Sequence, residues 1–455
     1  MGYMKKKRIL FVNRNTGGAN YYRIQTPLIE IDRLNDSDEF HFESVERLDF
    51  KDPNTLNYLK SFDLIQFHRQ LVGDERSMFR ITKELKSSGV ILVVDIDDYW
   101  ELDRTHPLYS ERASLKEISI FNIVNADYVT TTTDLLANEI KKIRGDDKVF
   151  VLENSINPEW MSQFQNNWKK DPDGYVRITY MGGSTHLKDL QQLNSVINIL
   201  NSDPQIKNKF KIILAGWDTK GKKIVHEFNK KLNEELVELG LWNKWMIEQI
   251  NKSKGDIWKV KSIPKDLKEK YQNNMFISTE KDIETNESIY FDYEKILTDN
   301  YRLIQNKNYH NWLLDFHINE RYYNEGNFAR RWTKPPNEYA KVLDETDIVI
   351  APLENTPFNN FKSELKQTEC WTRKLPIVCS DVPPYNIHGR HMDNCILIPD
   401  KKNNKKHWVK YLKMLILDES LRKKLGKNLH NDFSEKFHLT NVTKKRLEIY
   451  KKILK

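Results

Sequence analysis

Two series of short apolar runs, each alternating with amphipathic segments, constrain the fold of this chain more than any other feature of its sequence. In the first part the runs are RILFVN, FDLIQF, VILVVDID, YVTTTT and KVFVLEN. In the second part they are YVRITYMGGS, KFKIILAGW, TDIVIAPL, LPIVCSD and NCILIPD. Because β-branched runs separated by amphipathic helices form parallel, doubly wound sheets, the sequence predicts two α/β domains in tandem. Such sheets bind ligands beyond the carboxyl ends of their strands, so we expect a ligand in the cleft between them.

The length of 455 residues exceeds what one hydrophobic core normally serves, in agreement with two domains. We place the first domain at residues 1–170 and the second at 171–425, and we predict a linker at NPEWMSQFQNNWKKDPDG, between the two series of strands. An amphipathic basic helix at 426–455 follows, on the surface, from where it can cross back to the first domain. Residues at about 219–330 fit neither series and have a largely helical pattern. We interpret them as an insertion in the second domain, either a helical elaboration or a region that recognises an acceptor or partner.

Composition excludes several classes of protein. Hydrophobic residues make up 39% of the chain and charged residues 30%, and no apolar run approaches the length of a membrane-spanning helix. The basic start is followed only by the apolar letters ILFV, which predicts a first strand and not a signal peptide. Cys370, Cys379 and Cys395 lack the spacing of a zinc site, so we expect reduced thiols and a cytoplasmic protein. The net charge of +8 suits anionic ligands without implying nucleic acid.

The segment from Asp347 to Tyr385 predicts an anion-binding unit. It has the pattern of a strand, a loop, a polar-faced helix and a second strand: DIVIAPLENTPFNNFKSELKQTECWTRKLPIVCSDVPPY. The first turn of such a helix carries unpaired amides and the positive end of the helix dipole, which favour a phosphate. Lys362 and Lys366 add positive charge beside Ser363. Glu369 lies about a turn further on, where it can accept hydrogen bonds from sugar hydroxyls.

A glycine-rich turn opens the second series. Gly182 and Gly183 lead through Ser184 to His186 and Lys188. Glycine lets the backbone approach a ligand, and a lysine in the first helical turn supplies charge, so this turn suits a diphosphate. It is not a P-loop, because the GK[ST] spacing is absent. His186 either donates a hydrogen bond to the ligand or caps the turn.

Gly17 and Gly18 form the corresponding turn after the first strand of the chain. Without the G-x-G-x-x-G spacing, this turn is either a donor-binding loop or a plain tight turn. Arg23, one turn into the next helix, faces either the cleft or solvent. Arg331 and the adjacent Trp332 either hold a base by stacking or anchor the insertion.

Clustered acids follow a buried strand of the first series. Asp95, Asp97 and Asp98 stand at its carboxyl end, where they suit oxygen ligation of a metal, contact with sugar hydroxyls or a general base, or else simple capping. His106 follows in the same segment and is either a loop histidine or a contact for an acceptor. His68 and Arg69 end the preceding strand and have the same two interpretations, site residue or structural residue.

These segments together resemble the GT-B glycosyltransferases, and within them the retaining, family-4-like enzymes. The resemblance rests on the GGSTHLKD loop and the DIVIAPL…IVCSD unit. Three further segments, FNNFKSELK, DIDDYWELDRTHPLY and NYYRIQTPL, are similar to bacteriophage-encoded members. The resemblance implies two Rossmann-like domains facing across a cleft, with the acceptor on the first and the donor nucleotide on the second. It also implies a nucleoside-diphosphate sugar as donor, with no metal and no other cofactor.

The resemblance also implies roles for single residues. Lys188 stands where the family has a lysine that binds the donor diphosphate, whereas Gly183 replaces the family's arginine. Glu369 fits the second of two family glutamates and would bind the ribose, but Phe361 stands in place of the first. In such enzymes the leaving phosphate helps to deprotonate the acceptor, so Lys188 and Lys366 are candidates for stabilising the departing diphosphate. The aspartates then face the acceptor or are structural.

The leading hypothesis is a hexosyl- or pentosyltransferase that moves a sugar from a nucleoside diphosphate to an acceptor hydroxyl with retention. The acceptor is either a hydroxymethylated base in phage DNA, a DNA modification that would occur in the host cytoplasm, or a polysaccharide or protein. One alternative is a sugar-nucleotide epimerase of the same architecture. Another is a non-catalytic DNA-binding protein built on a degenerate transferase.

Overall fold

The computed structural model describes most of the chain, in two compact units. The described residues are 6–13, 17–34, 39–46, 48–72, 75–104, 106, 109, 115–165, 173–216, 222–228, 230–241, 263–270, 276–282, 296–298, 322–401 and 403–455. Residues 1–99, 118–218 and 291–455 form the larger unit, and residues 100–117 with 219–290 form the smaller. The larger unit contains both parallel sheets.

Fifteen strands occur in the described part of the chain. They are β1 (Lys7–Val12), β2 (Phe40–Val45), β3 (Leu64–His68), β4 (Ile91–Ile96), β5 (Tyr128–Thr131), β6 (Val149–Val151), β7 (Val176–Gly182), β8 (Phe210–Gly216), β9 (Lys222–Phe228), β10 (Phe276–Asp282), β11 (Tyr322–Glu325), β12 (Phe328–Arg331), β13 (Ile348–Ala351), β14 (Ile377–Asp381) and β15 (Ile396–Pro399). The central strands are buried on both faces, as in β1, where all four residues of ILFV are buried. That pattern is typical of parallel sheets covered by helices on both sides.

The helices follow the strands of the two sheets. They are α1 (Gly18–Asn20), α2 (Thr26–Leu34), α3 (Pro53–Lys60), α4 (Glu75–Ser87), α5 (Leu115–Asn125), α6 (Asp134–Arg144), α7 (Leu187–Leu190), α8 (Val196–Ser202), α9 (Lys230–Glu238), α10 (Lys265–Lys270), α11 (Pro357–Asn360), α12 (Leu365–Trp371), α13 (Tyr385–His388), α14 (Lys405–Leu417), α15 (Glu419–Phe433) and α16 (Leu439–Ile453). A π-helical turn, Tyr21–Gln25, joins α1 to α2. Within the described ranges, no helix is long and apolar enough to cross a bilayer.

Local sequence sets the ends of these helices. In α6, the Thr133 side chain accepts a hydrogen bond from the Leu136 amide, which satisfies one of the free amides of the first turn. Gly145 ends the same helix with φ of +73°, in the left-handed region that glycine adopts without strain. The sequence therefore specifies both ends of α6, because Thr133 caps its start and Gly145 ends it.

The two large sheets both have crossover connections. The first has six parallel strands in the order β2-β1-β3-β4-β5-β6. The second has seven in the order β11-β12-β8-β7-β13-β14-β15, parallel except for the antiparallel pair β11 and β12. The carboxyl ends of β1, β3 and β4 in the first sheet, and of β7 and β13 in the second, carry the loops with the candidate site residues.

The last helix of the chain completes the core of the first sheet. Val442, Leu447 and Tyr450 of α16 are buried in one cluster with Ile9 and Phe11 of β1. The Tyr450 hydroxyl donates to Gln66 on β3. The chain enters α16 through backbone hydrogen bonds of Ile156 with Phe437 and Leu439, each 3.0 Å long. Residues from the two ends of the sequence therefore share one hydrophobic core.

Several local predictions differ from the structure. The strand β2 has the alternating letters FHFESV but was not predicted. The predicted linker after residue 156 begins as a packed segment, because Met161 and Phe164 are buried in the second core. The insertion was predicted to be largely helical, yet its described part contains the antiparallel strands β9 and β10 as well as two helices. β11 and β12, at the predicted end of that insertion, belong to the second sheet.

Candidate active site

The turn after β7 leaves backbone exposed at the carboxyl edge of the second sheet. A Cβ atom at Gly182 would lie 2.5 Å from the Tyr180 hydroxyl, so this position requires glycine. At Gly183 a Cβ would meet nothing within 4 Å, which leaves open space beside the backbone. The chain then passes through a 3₁₀ turn, Ser184–His186, into α7, where Lys188 is exposed. The structure therefore agrees with a turn that a ligand can approach closely.

Asp189 links this turn to the loop after β13. Its carboxylate is buried; Oδ2 lies 2.6 Å from His186 Nδ1, and Oδ1 accepts from the Glu354 amide at 2.7 Å and from Asn359 Nδ2 at 3.0 Å. Burial alone would raise the pKa of Asp189, but His186 and Lys362 hold it below its ordinary value. An ionised Asp189 thus fixes two ligand-facing loops to each other. The sequence analysis missed both Asp189 and Asn359.

His186 is neutral in this environment. Burial lowers the pKa of its imidazole, and the nearby charges of Lys362 and Lys366 lower it further, against the opposing effect of Asp189. Both lysines thus interact electrostatically with the ring that follows the GGST turn. That His186, Lys362 and Lys366 bind the donor stays a prediction.

Hydrogen bonds link four side chains in a row: Tyr22, Tyr339, Glu369 and Lys366. The Tyr22 hydroxyl, from the first sheet's π-helical turn, lies 2.8 Å from the Tyr339 hydroxyl, which also donates to Glu369 Oε1. Lys366 Nζ donates to Glu369 Oε2 at 2.8 Å. Glu369 itself is 0% exposed. The helix α12 was predicted to be polar-faced, but its residues from Gln367 to Trp371 are buried.

Burial shifts the titration of this pair in a way that suits an anionic ligand. It raises the pKa of Glu369 well above its ordinary value and lowers that of Lys366 to about 8. Both shifts favour the uncharged forms, because each charge loses solvation. A phosphate beside Lys366 would restore the ammonium form. The pair therefore gains charge complementarity when an anion binds.

The loops of the two sheets also touch directly. The rings of Tyr99 and Phe361 stack with centroids 4.5 Å apart and an interplanar angle of 29°. Asn154 Nδ2 donates to Ser363 Oγ at 2.8 Å. Of the predicted donor-binding residues, Ser363 thus lies against a loop of the first sheet. Within the second sheet's own loop, Lys362 Nζ lies 5.0 Å from the centre of the Phe358 ring.

The carboxyl edge of the first sheet contains a buried ion pair. Arg23 is 1% exposed and forms a two-pronged contact with Asp95, at 2.6 and 3.0 Å. The hydroxyl of Thr130 also donates to Asp95, at 2.6 Å, and Arg23 donates to the Leu152 carbonyl. The prediction that Arg23 faces the cleft or solvent is wrong, because its guanidinium is buried against Asp95. Asp95 has no exposed oxygen for an acceptor, and its contacts favour a structural role.

Asp97 and Asp98 are held by the residues that end β3. His68 Nε2 lies 2.7 Å from Asp97 Oδ1, and Arg69 contacts Asp97 and Asp98, each at 2.7 Å. Arg69 has φ of +56°, a left-handed conformation that is strained for arginine and turns its side chain back over the strand ends. Burial would raise the pKa of Asp97, but Arg69 and His68 overcome it and hold that pKa well below the ordinary value. Asp97 is therefore a poor general base.

Known structures with this architecture were found by comparison of the fold. No family model matches the sequence, and no curated protein does. A glycosyltransferase from Rickettsia africae ESF-5 aligns over 99% of this chain and 100% of its own, with a TM-score of 0.51 and 11% identity. HepE from Anabaena, solved with UDP-glucose, aligns over 98% and 99%, with 0.52 and 10%. Sucrose-phosphate synthase from Thermosynechococcus elongatus aligns over 98% and 99%, with 0.54 and 10%.

The chain has the GT-B fold. The prediction of a two-domain GT-B architecture is thus confirmed at the level of fold. Candidate residues lie at the carboxyl ends of strands in both sheets, where doubly wound sheets bind ligands.

Some predicted site residues lie apart from the residues described above or bind to other partners. Arg331 forms a two-pronged ion pair with Glu345, at 2.6 and 2.9 Å, which favours a structural role on β12 over contact with a base. His106 belongs to the smaller unit, and its contact with an acceptor stays a prediction. Gly17 precedes α1 and Gly18 begins it, about one turn before Tyr21, where the sequence predicts the helix to start. Residues 15 and 16 of this turn lie outside the described ranges.

Asp95 and Asp97, two buried aspartates of the first sheet, allow a prediction of how the stability of the protein depends on pH. The pKa values of Asp95 and Asp97 are both lowered in the folded protein, so their contribution is fully present above the ordinary carboxylate range, about pH 4, and is lost as pH falls below it. We expect these two carboxylates to contribute a steep fall of the melting temperature below about pH 4. In Asp97→Asn that acid fall should be shallower. An equally steep fall in this variant, measured by thermal denaturation, would contradict the assignment.

Proposed function

We propose that this protein is a glycosyltransferase that moves a sugar from a nucleoside-diphosphate donor to an acceptor hydroxyl. The observation that carries the proposal is the Lys366–Glu369 pair, in which a lysine of low pKa lies beside the GGST turn in a GT-B fold. A diphosphate leaving group needs positive charge where its own charge develops. Lys366, Lys362 and Lys188 are the groups that supply it.

The donor is proposed from its chemistry and from one neighbour. HepE was solved with UDP-glucose, so a UDP-linked sugar is the first donor to test. The turn at Gly182 and Gly183 would receive the diphosphate. Glu369 would contact the ribose, whose hydroxyl would join or displace the Tyr339 hydroxyl at the carboxylate. We propose that no metal and no other cofactor takes part.

The proposed reaction occurs with retention. The bond from the anomeric carbon to the phosphate oxygen breaks, and the acceptor oxygen bonds to the same face of that carbon. The acceptor proton passes to the leaving diphosphate. The protein's residues position both substrates and stabilise the departing charge. The phage affinity and the cytoplasmic location are parts of the proposal that rest on sequence resemblance, and the resemblance alone leaves a hydroxymethylated base, a polysaccharide and a protein open as acceptors.

A donor screen tests the proposed function. We expect one of UDP-, GDP-, ADP- or CMP-linked sugars to raise the melting temperature, because a ligand at a hundred times its Kd stabilises the native state by about 2.7 kcal/mol. The same donor should release its nucleotide slowly in the absence of an acceptor. Conversion of the donor to an epimer would indicate an epimerase instead. No shift with any donor would contradict the proposal.

Lys188→Ala should weaken donor binding without changing the fold. Lys188 is exposed at the start of α7, so its loss should leave the melting temperature of the ligand-free protein unchanged. Loss of one charge-assisted phosphate contact should raise the donor KM about tenfold. Lys209→Ala is the matched control, because Lys209 is equally exposed but precedes β8 at the opposite edge of the sheet. Equal donor KM values in the two variants would remove Lys188 from the site.

A further inference from the structure

The amide of Asn20 is buried and has no hydrogen-bond partner among the described residues. The residue is 3% exposed, and both Nδ2 and Oδ1 lack a partner in this part of the chain. Buried amide groups without partners cost free energy and are rare in native proteins, so each one requires an explanation. Two residues earlier, a Cβ at Gly18 would meet no atom of the described residues within 4 Å. A ligand that enters from that side would supply the missing partners.

The helix geometry places Asn20 closer than Arg23 to the carboxyl ends of the strands. Asn20 comes three residues before Arg23, which holds Asp95. A helix that follows a parallel strand runs opposite to it, so three residues back toward the helix start cover about 4.5 Å in the direction of the strands' carboxyl ends. Asp97 also lies further than Asp95 toward these ends, by about 6.6 Å along its strand. Asn20 and Asp97 are therefore both displaced from the Arg23–Asp95 pair toward the same edge of the sheet.

His68 and Gln70 add polar atoms at the same edge. Asp97 binds His68 through Nε2, and in the described part of the chain no polar atom pairs with its Nδ1. Gln70 follows two residues later and has a buried Oε1 without a partner. His68 ends β3, and Gln70 lies just beyond it. β3 pairs directly with β1, the strand that leads to Asn20. Two amides and an imidazole thus share one edge of the sheet.

The charged residues at this edge provide no excess of positive charge. Arg23 pairs with Asp95, and Arg69 bridges Asp97 and Asp98, so two cations face three carboxylates. A polyanion such as duplex DNA gains most of its affinity from excess cationic side chains, which this edge does not offer. A hydroxyl both donates and accepts a hydrogen bond, as do amides. The edge is therefore matched to uncharged hydroxyl groups.

We propose that Asn20, His68 and Gln70 form an acceptor site for a neutral carbohydrate. The inference rests on the proposed glycosyl transfer and names its acceptor class. In this arrangement the Asn20 amide donates to one sugar oxygen and accepts from a hydroxyl, while His68, oriented by Asp97, and Gln70 bind neighbouring hydroxyls. Asp97 is a positioning residue, because it acts through His68.

The test compares acceptors and variants in the full-length protein. Using the donor that raises the melting temperature most, nucleotide release is measured with maltose, cellobiose and lactose and with a duplex containing 5-hydroxymethylcytosine. We expect a neutral disaccharide to stimulate release and the duplex not to. Asn20→Ala should raise the acceptor KM at least tenfold, with the donor KM changed less than twofold. Stimulation by the duplex alone, or an unchanged acceptor KM, would overturn the proposal.

Two further measurements separate this proposal from the general function. Asn57→Ala is the matched control, because Asn57 is exposed on α3 and should leave both KM values unchanged. Asn20→Leu should raise the melting temperature of the ligand-free protein, because it removes an unpaired buried amide. A lower melting temperature would show that Asn20 is a structural residue and would overturn the acceptor site. Absence of turnover with every donor would instead contradict glycosyl transfer, and the Asn20→Leu result would still stand.

Discussion

Lys366→Met lowers kcat/KM for the sugar donor by about a hundredfold or more, as expected for the loss of one group that stabilises a leaving-group charge. The substitution keeps the side chain's length and removes its ammonium, which donates to the buried Glu369. In the native protein the same rate should fall as pH rises through about 8, because that is the pKa of Lys366 and only its ammonium form stabilises an anion. Steady-state kinetics between pH 6 and 9 measure both effects.

A surface lysine provides the control for this prediction. Lys423 lies on α15 with 76% of its side chain exposed, and it pairs with the exposed Glu419. Lys423→Met should leave kcat/KM and its pH dependence unchanged. If Lys366→Met also keeps native kinetics while folding normally, Lys366 does not contact the diphosphate, and the proposed leaving-group role is wrong.

Asp95→Asn destabilises the protein by about 3–5 kcal/mol, the usual cost when one partner of a buried ion pair is removed. Both side chains of the Arg23–Asp95 pair are 1% exposed, so the guanidinium left behind cannot regain water. Arg23 also donates to the Leu152 carbonyl, and that contact ties β6 to the same centre. Denaturant unfolding followed by circular dichroism measures the change.

An exposed ion pair provides the control for this prediction. Glu419→Gln breaks the Lys423–Glu419 pair, whose side chains are 76% and 65% exposed, and should change stability by less than about 0.5 kcal/mol. If Asp95→Asn were equally mild, Asp95 would not be the structural centre of the first sheet. Its predicted role at an acceptor would then be open again.

The sequence predicted most strands because a central parallel strand is a local signal. Runs such as ILVV in β4 and IVIA in β13 are apolar without interruption, which only a strand covered on both faces explains well. β2 was not predicted because it is an edge strand, and its sequence FHFESV mixes polar with apolar residues. The packed start of the predicted linker also carries no local signal, since Met161 and Phe164 find their core only in the folded chain.

The site was predictable in its loops but not in its pairings. Glycines and lysines after strands mark ligand-facing turns wherever they occur. The partners of Arg23, Glu369 and Asp189 are determined by tertiary structure, because Asp95, Tyr339 and Asn359 are 72, 30 and 170 residues away in the sequence. No spacing rule relates such positions. The buried, unpaired amide of Asn20 is likewise visible only after its surroundings are known.

The return of α16 to the first sheet has a consequence for biosynthesis. The strands β1 to β6 leave the ribosome before the second sheet, yet Val442, Leu447 and Tyr450, which fill one side of their core, are translated after it. Domains that emerge early usually fold early. Here the first sheet must remain incompletely packed until α16 has been synthesised, with apolar surface exposed to chaperones and to other nascent chains. A ribosome that stalls before α16 would therefore leave the earlier-made sheet without one side of its core.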